Sequence, residues 1–181
     1  SIAREFANGS DAAILSNHGI VTGAKSVPEA FIKTEMIERV ARMEILAKSS
    51  GLKLVYPKNL DAVKGMTEKP ASMEEFVPDI LSEEETEARR LICRWAERAY
   101  VKKLCGTLDG SFAMRVSGNS FVVTPAGADR SRVHPDECVL IRDGKREKGK
   151  IPDETVFLFQ AIFDTHPDLN YALTAAPVSI M

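Results

Sequence analysis

Residues 111–123 read SFAMRVSGNSFVV, and no other stretch limits the fold as much. Apolar and polar residues alternate on both sides of Ser117-Gly118-Asn119. A period of two sends successive side chains to opposite faces of a strand, so this stretch is expected to be an antiparallel hairpin closed by a tight turn. CVLIRDGK, starting at Cys138, adds a third strand that runs into an Asp-Gly turn, and LNYALTA, starting at Leu169, adds a last one. Helices flank these strands. The stretch LSEEETEARRLICRWAERAYVKKLCG opens with a capping box of Ser82 and Glu85, sets three glutamates at the positive helix end and stops at Gly106. Residues 154–165, ETVFLFQAIFDT, are rich in aromatics and read as a largely buried helix. Mixed strands and helices of this kind place the chain in the α/β class.

The first fifty residues form a separate group. Residues 2–7 suit a short helix ended by Asn8-Gly9. Ala12-Ala13-Ile14-Leu15 suits a short buried strand, and Ile20-Val21-Thr22 a second one closed by Gly23. A long helix then starts at Ser26 as N-cap, with Pro28 in its first turn and Glu29 completing a capping box. Phe31, Met36, Val40, Met43 and Leu46 approximate an apolar stripe, and Gly51 is the stop. Residues 52–81 have three prolines, scattered charge and no strong period, and read as a linker. The expected organisation is therefore 1–51, a linker over 52–81, and a second unit over 82–181.

A formal net charge of -2 gives no field to recruit nucleic acid or an anionic membrane. No apolar run approaches the roughly 20 residues of a membrane span. The three cysteines form no CxxC pair, which argues against a disulfide framework or a thiolate zinc site and points to a reducing, cytoplasmic setting. The chain opens inside a helix without an initiator methionine and stops directly after a strand, so both ends read as cut.

Several short motifs carry chemistry. Asn17-His18-Gly19 precedes IVTG and a capped PEAF helix; Gly110-Ser111 and Thr124-Pro125-Ala126-Gly127 are tight turns; Glu154 follows Pro152-Asp153; and DLNYALTAAPV closes the chain. In these motifs the chain resembles the class II aldolase/adducin family. That family is a three-layer α/β/α fold of metal-dependent sugar-phosphate aldolases and epimerases with non-catalytic relatives. Residues 1–51 resemble its last portion and residues 82–181 its first half. The expected fold is thus two incomplete portions, as in a piece spanning the junction of a tandem pair; a circular permutant is the rarer alternative.

The resemblance implies a role for each motif. His18 matches a zinc ligand, because an imidazole between Asn17 and Gly19 can reach a metal while its other nitrogen bonds an acceptor. The other two ligand positions fall on Thr174 and Ala176, neither of them a zinc ligand of any strength. Zinc or another divalent ion is therefore expected in the full-length protein and none on this chain alone. Glu154 matches the catalytic acid/base glutamate. Its flanking phosphate-binding serines are Pro152 and Asp153 here, and an aspartate repels a phosphate dianion. Gly110 and Ser111 stand at the Gly-Asn phosphate loop, with Asp109 added. Thr124 and Gly127 keep a turn whose hydroxyl and N–H groups suit an oxyanion. His134 and His166 read as solvated loop residues.

Two functions follow. In the first, the full-length protein is a metal-dependent lyase or epimerase acting on a small sugar or sugar phosphate, with residues 82–181 catalytically silent. In the second, the chain belongs to a non-catalytic, adducin-like structural or oligomerisation module. The resemblance favours a homo-oligomer, a tetramer, in either case.

Overall fold

The computed structural model describes residues 2–53, 55 and 69–179. The chain divides into two compact units, residues 1–55 with 178–181, and residues 56–177.

In the first unit, helix α1 (Ile2–Ala7) leads into the antiparallel hairpin β1 (Ala12–Leu15) and β2 (Gly19–Thr22), followed by helix α2 (Val27–Ser49). Gly9 adopts φ +90°, the left-handed stop expected after α1. The Ser26 side chain caps α2 by accepting from Glu29 N. The Glu29 carboxylate, however, bonds the backbone N–H of Lys25, one residue earlier than a capping box requires. Lys33 ties the helix to the hairpin through Asp11 Oδ2 at 2.7 Å and Gly23 O at 3.0 Å.

The apolar readings of this unit need correction. The strand expected to be buried has Ile14 77% exposed, and the α2 stripe has no buried residue, with Phe31 60% exposed. Dimensions explain this. Strands of four residues extend about 13 Å, whereas a helix of 23 residues extends about 35 Å. One short hairpin cannot cover such a helix.

The second unit is a six-stranded sheet between two helices. Its elements are β3 (Glu75–Phe76), helix α3 (Glu83–Val101), β4 (Ser111–Val116), β5 (Ser120–Val123), β6 (Val139–Arg142), β7 (Lys145–Glu147), helix α4 (Val156–Thr165) and β8 (Tyr171–Thr174). The strand order is β3-β7-β6-β5-β4-β8, antiparallel except for the parallel pair β3 and β7. The hairpin expected at 111–123 is β4 and β5, paired from Ala113 opposite Val123 to Val116 opposite Ser120. Asp143 and Gly144 both take positive φ, the conformation a two-residue hairpin loop demands, and join β6 to β7.

Alternation along the strands makes two cores. Phe112, Val116, Val122 and Leu140 face α3, where Ala88, Ile92, Ala96 and Ala99 meet them. Ala113, Phe121, Val123, Val139 and Ile141 face α4, which contributes Val156, Phe159 and Phe163. The Phe121 and Phe163 rings meet edge to face with centroids 5.3 Å apart. Helix, sheet and helix form the three layers expected of the α/β/α class. Helix α3 starts with the full capping box of Ser82 and Glu85. Helix α4 starts at Val156, so Glu154 lies just ahead of it.

Residues 69–76 lie in the stretch expected to be linker, yet they join this unit. Pro70 is buried, β3 pairs with β7, and Phe76 packs against the α3 core. Residues 54 and 56–68 of the expected linker lie outside the described residues.

Candidate functional site

Three segments that the resemblance assigns to phosphate handling meet in the second unit. They are the entry to β4 at Gly110-Ser111, the turn after β5 at Thr124–Gly127, and residues 151–155 ahead of α4. Backbone bonds join the last two, from Ala126 N to Ile151 O and from Asp153 N to Thr124 O, both 3.0 Å. At their meeting point lies the side chain of Arg130, which is fully buried.

Arg130 binds all three segments. Its Nε donates to Gly110 O at 2.6 Å, and its Nη1 donates to Pro125 O at 3.2 Å and Ala128 O at 2.9 Å. Its Nη2 donates to Asp153 Oδ2 at 2.7 Å. The Arg130 backbone adds an N–H bond to Thr107 O at 2.8 Å. A guanidinium removed from water needs both a counter-charge and acceptors in the plane of its fork. Asp153 supplies the charge and three carbonyls supply the acceptors. The second Asp153 oxygen, Oδ1, accepts from Thr155 N at 3.1 Å and Thr155 Oγ1 at 2.8 Å.

The hydroxyls of this corner face one another. Ser111 Oγ and Thr124 Oγ1 are 2.6 Å apart, both residues are fully buried, and Thr124 Oγ1 also accepts from Phe112 N at 3.2 Å. Asp109 turns its carboxylate onto Gly106 N. Gly110 sits at φ +80°, where an added Cβ would stand 2.7 Å from Cys105 Cβ. Gly127 occupies the exposed end of the turn at φ +66°. Gly110, Ser111 and Thr124 are thus brought together, with their polar groups turned toward the protein. A phosphate arriving here would meet the Asp153 carboxylate. That carboxylate is already paired with Arg130, so the anion meets no uncompensated positive charge there.

The remaining candidates are dispersed. Glu154 is exposed beside the corner. In the first unit, His18 sits at the exposed β1–β2 turn, where Asn17 takes φ 61° and Gly19 φ 121°. Its Nδ1 lies 2.9 Å from Ser16 O. A carbonyl only accepts, so Nδ1 carries the proton and Nε2 keeps its lone pair in the neutral ring. In the second unit, Thr174 Oγ1 accepts from Ser111 N at 3.0 Å, and Ala176 has no side-chain donor atom. Among the described residues no three His, Cys, Asp or Glu side chains gather into a cation site. One imidazole is not a zinc coordination sphere, so these residues do not fit a bound metal. His134 is exposed at a 3-10 turn over Pro135–Glu137, and His166 is exposed at the end of α4.

Residues 1–45 and 90–175 match the family model described as the class II aldolase and adducin N-terminal domain. The chain belongs to that family. It is 44% identical over 41 residues to an L-fuculose phosphate aldolase of Methanococcus maripaludis strain C5, covering 23% of each chain. To the protein of that name in strain S2 it is 53% identical over 36 residues, covering 20% of each. The chain therefore spans less than a quarter of the length of these curated relatives. Among solved structures, it overlays an L-fuculose 1-phosphate aldolase with a TM-score of 0.49 and 14% identity, covering 54% of this chain and 46% of the other. A putative aldolase/epimerase/decarboxylase of Escherichia coli overlays with a TM-score of 0.47 and 18% identity, covering 50% and 44%.

Within this class II aldolase framework, the residue that sequence reasoning missed is Arg130. Nothing local in AGADRSR marks Arg130 as buried. The signal that points to it is Asp153, because a mostly buried carboxylate requires a cation nearby.

Proposed function

We propose that the chain is part of a class II aldolase-type protein in which residues 82–181 form a catalytically silent unit. Residues 1–51 belong to a first domain that performs lyase or epimerase chemistry on a small sugar or sugar phosphate, with zinc or another divalent ion. Residues 52–81 contain the connection between them. The observation supporting silence is the Arg130–Asp153 pair, which puts a carboxylate where a phosphate would need a donor. The two separate stretches matched by the family model are in keeping with two portions. The L-fuculose phosphate aldolase name of the relatives supports a sugar-phosphate substrate for the whole protein.

In this reading Glu154 and Gly127 keep their places around a corner that no longer takes substrate. His18, with its Nε2 free for a ligand bond, serves the first domain together with ligands from other segments. The whole protein assembles as a homotetramer in the cytoplasm.

The same ion pair also fits a second reading, an adducin-like scaffold with no catalytic partner. The full-length reading frame separates the two. A His-x-His-Pro strand ahead of residue 1 supports the enzyme, and its absence supports the scaffold. For this chain the test is zinc content and cleavage of L-fuculose 1-phosphate. The expected result is neither stoichiometric zinc nor turnover. One equivalent of tightly held zinc that disappears in His18→Ala, together with turnover, overturns the proposal.

A further inference from the structure

Cys93 on α3 and Cys138, immediately ahead of β6, bring their Sγ atoms within 3.7 Å of each other. They are 45 residues apart in sequence, and both are free thiols. We propose that Cys93 and Cys138 form a reversible dithiol–disulfide pair that takes a hydroperoxide as its oxidant. The site lies on the α3 face of the sheet, apart from the Arg130 corner, and the proposal does not depend on the aldolase reading.

The two thiols are placed for different tasks. Cys93 is partly exposed, whereas Cys138 is fully buried. The backbone of Cys138 is pinned, since its carbonyl accepts from Arg89 Nη1 and from Lys150 Nζ, the latter at 3.1 Å. The Cys138 hydrogen bond holds the Cys93 thiol below its ordinary range, against burial and Glu137 and with help from the Arg89 charge. The Cys138 thiol is pushed up by that same bond and by burial. Cys93 is therefore the nucleophile and Cys138 the resolving thiol.

The chemistry balances. The Cys93 thiolate attacks one peroxide oxygen, the O–O bond breaks, and the departing hydroxide takes a proton to leave as water. The Cys93 sulfenic acid is then attacked by the Cys138 sulfur. The S–O bond breaks, a second water leaves with the Cys138 proton, and the S–S bond forms. Each sulfur has given up one electron and the peroxide has gained two. A disulfide is ~2.05 Å long, so the sulfurs must close by about 1.7 Å from the observed 3.7 Å. Side-chain rotation and a slight shift of α3 toward the sheet supply that movement. The bond would tie α3 to the central strands, and a dithiol reductant reverses it.

The test treats the whole folded chain with hydrogen peroxide, removes the excess, and alkylates under denaturing conditions before peptide mapping. Wild type and Cys105→Ser are expected to lose the mass of two hydrogen atoms and to yield one cross-linked peptide pair joining Cys93 to Cys138, restored by dithiothreitol. Cys138→Ser is expected to stop at the sulfenic acid, trapped as a dimedone adduct on Cys93. If that variant does not fold, the wild-type peptide map decides alone. Cys93 and Cys138 both remaining alkylatable in peroxide-treated wild type, or a disulfide that includes Cys105, overturns the proposal.

Discussion

Arg130 Nη2 and Asp153 Oδ2 stand 2.7 Å apart, with the arginine fully buried and the aspartate side chain 15% exposed. The pair joins the entry to β4, the turn after β5 and the start of α4. Removing either partner strands the other. Asp153→Ala and Arg130→Met are each expected to destabilise the second unit by about 3–5 kcal/mol, the range for breaking a buried pair. The double variant should lose less than the sum of the two. Urea unfolding followed by the fluorescence of Trp95, the single tryptophan, measures all three.

Glu147 predicts an acid limit to stability. Burial pushes its carboxyl up, but bonds from Arg89, Lys150 and the Leu140 N–H outweigh burial and hold it below the ordinary glutamate range. Because the folded value lies below the unfolded one, the contribution is complete above the unfolded pKa. It is lost as pH falls through the folded value. Glu147→Gln should therefore flatten the acid side of the stability profile and lower neutral stability by about 3 kcal/mol. Thermal melts from neutral pH down through and below the ordinary glutamate range give the comparison.

Gly110 and Gly118 separate backbone strain from crowding. Both take positive φ, but an added Cβ meets Cys105 at Gly110 and nothing within 4 Å at Gly118. Gly118→Ala is expected to cost about 1–2 kcal/mol from backbone conformation alone. Gly110→Ala should cost clearly more, since Cys105 or the loop must also move. Parallel urea titrations of the two variants check the order.

The capping box of α3 is expected to contribute as such boxes do. Ser82 Oγ accepts from Glu85 N at 3.1 Å, and Glu85 Oε2 accepts from Ser82 N at 3.1 Å. Ser82→Ala should lower stability by about 1 kcal/mol. Glu85→Ala should lower it further, because Glu85 is buried and also pairs with Arg142 at 3.2 Å. Chemical denaturation of both variants distinguishes the two contributions.

Much of the second unit was legible in the sequence because its signals are local. Alternation around Ser117-Gly118-Asn119, the Asp143-Gly144 turn and the Ser82 cap each act over a few residues. The strands β3 and β7 escaped because they have two and three residues, too short for any period. The α2 stripe was legible as a pattern but not as burial, since burial depends on what covers it. At the candidate corner, the resemblance singled out Gly110, Ser111 and Thr124, which the fold brings together, while Glu154 stands exposed beside them. It could not locate Arg130, whose burial arises only when carbonyls from separate segments converge on it.

If the corner is closed by its own Arg130–Asp153 pair, it takes no phosphate. Isothermal titration of the folded wild-type chain with inorganic phosphate tests it most directly. No saturable binding is expected through the millimolar range, where weak anion sites fill at about -4 kcal/mol. Saturable, one-to-one phosphate binding by wild type, abolished in Arg130→Met, would contradict it.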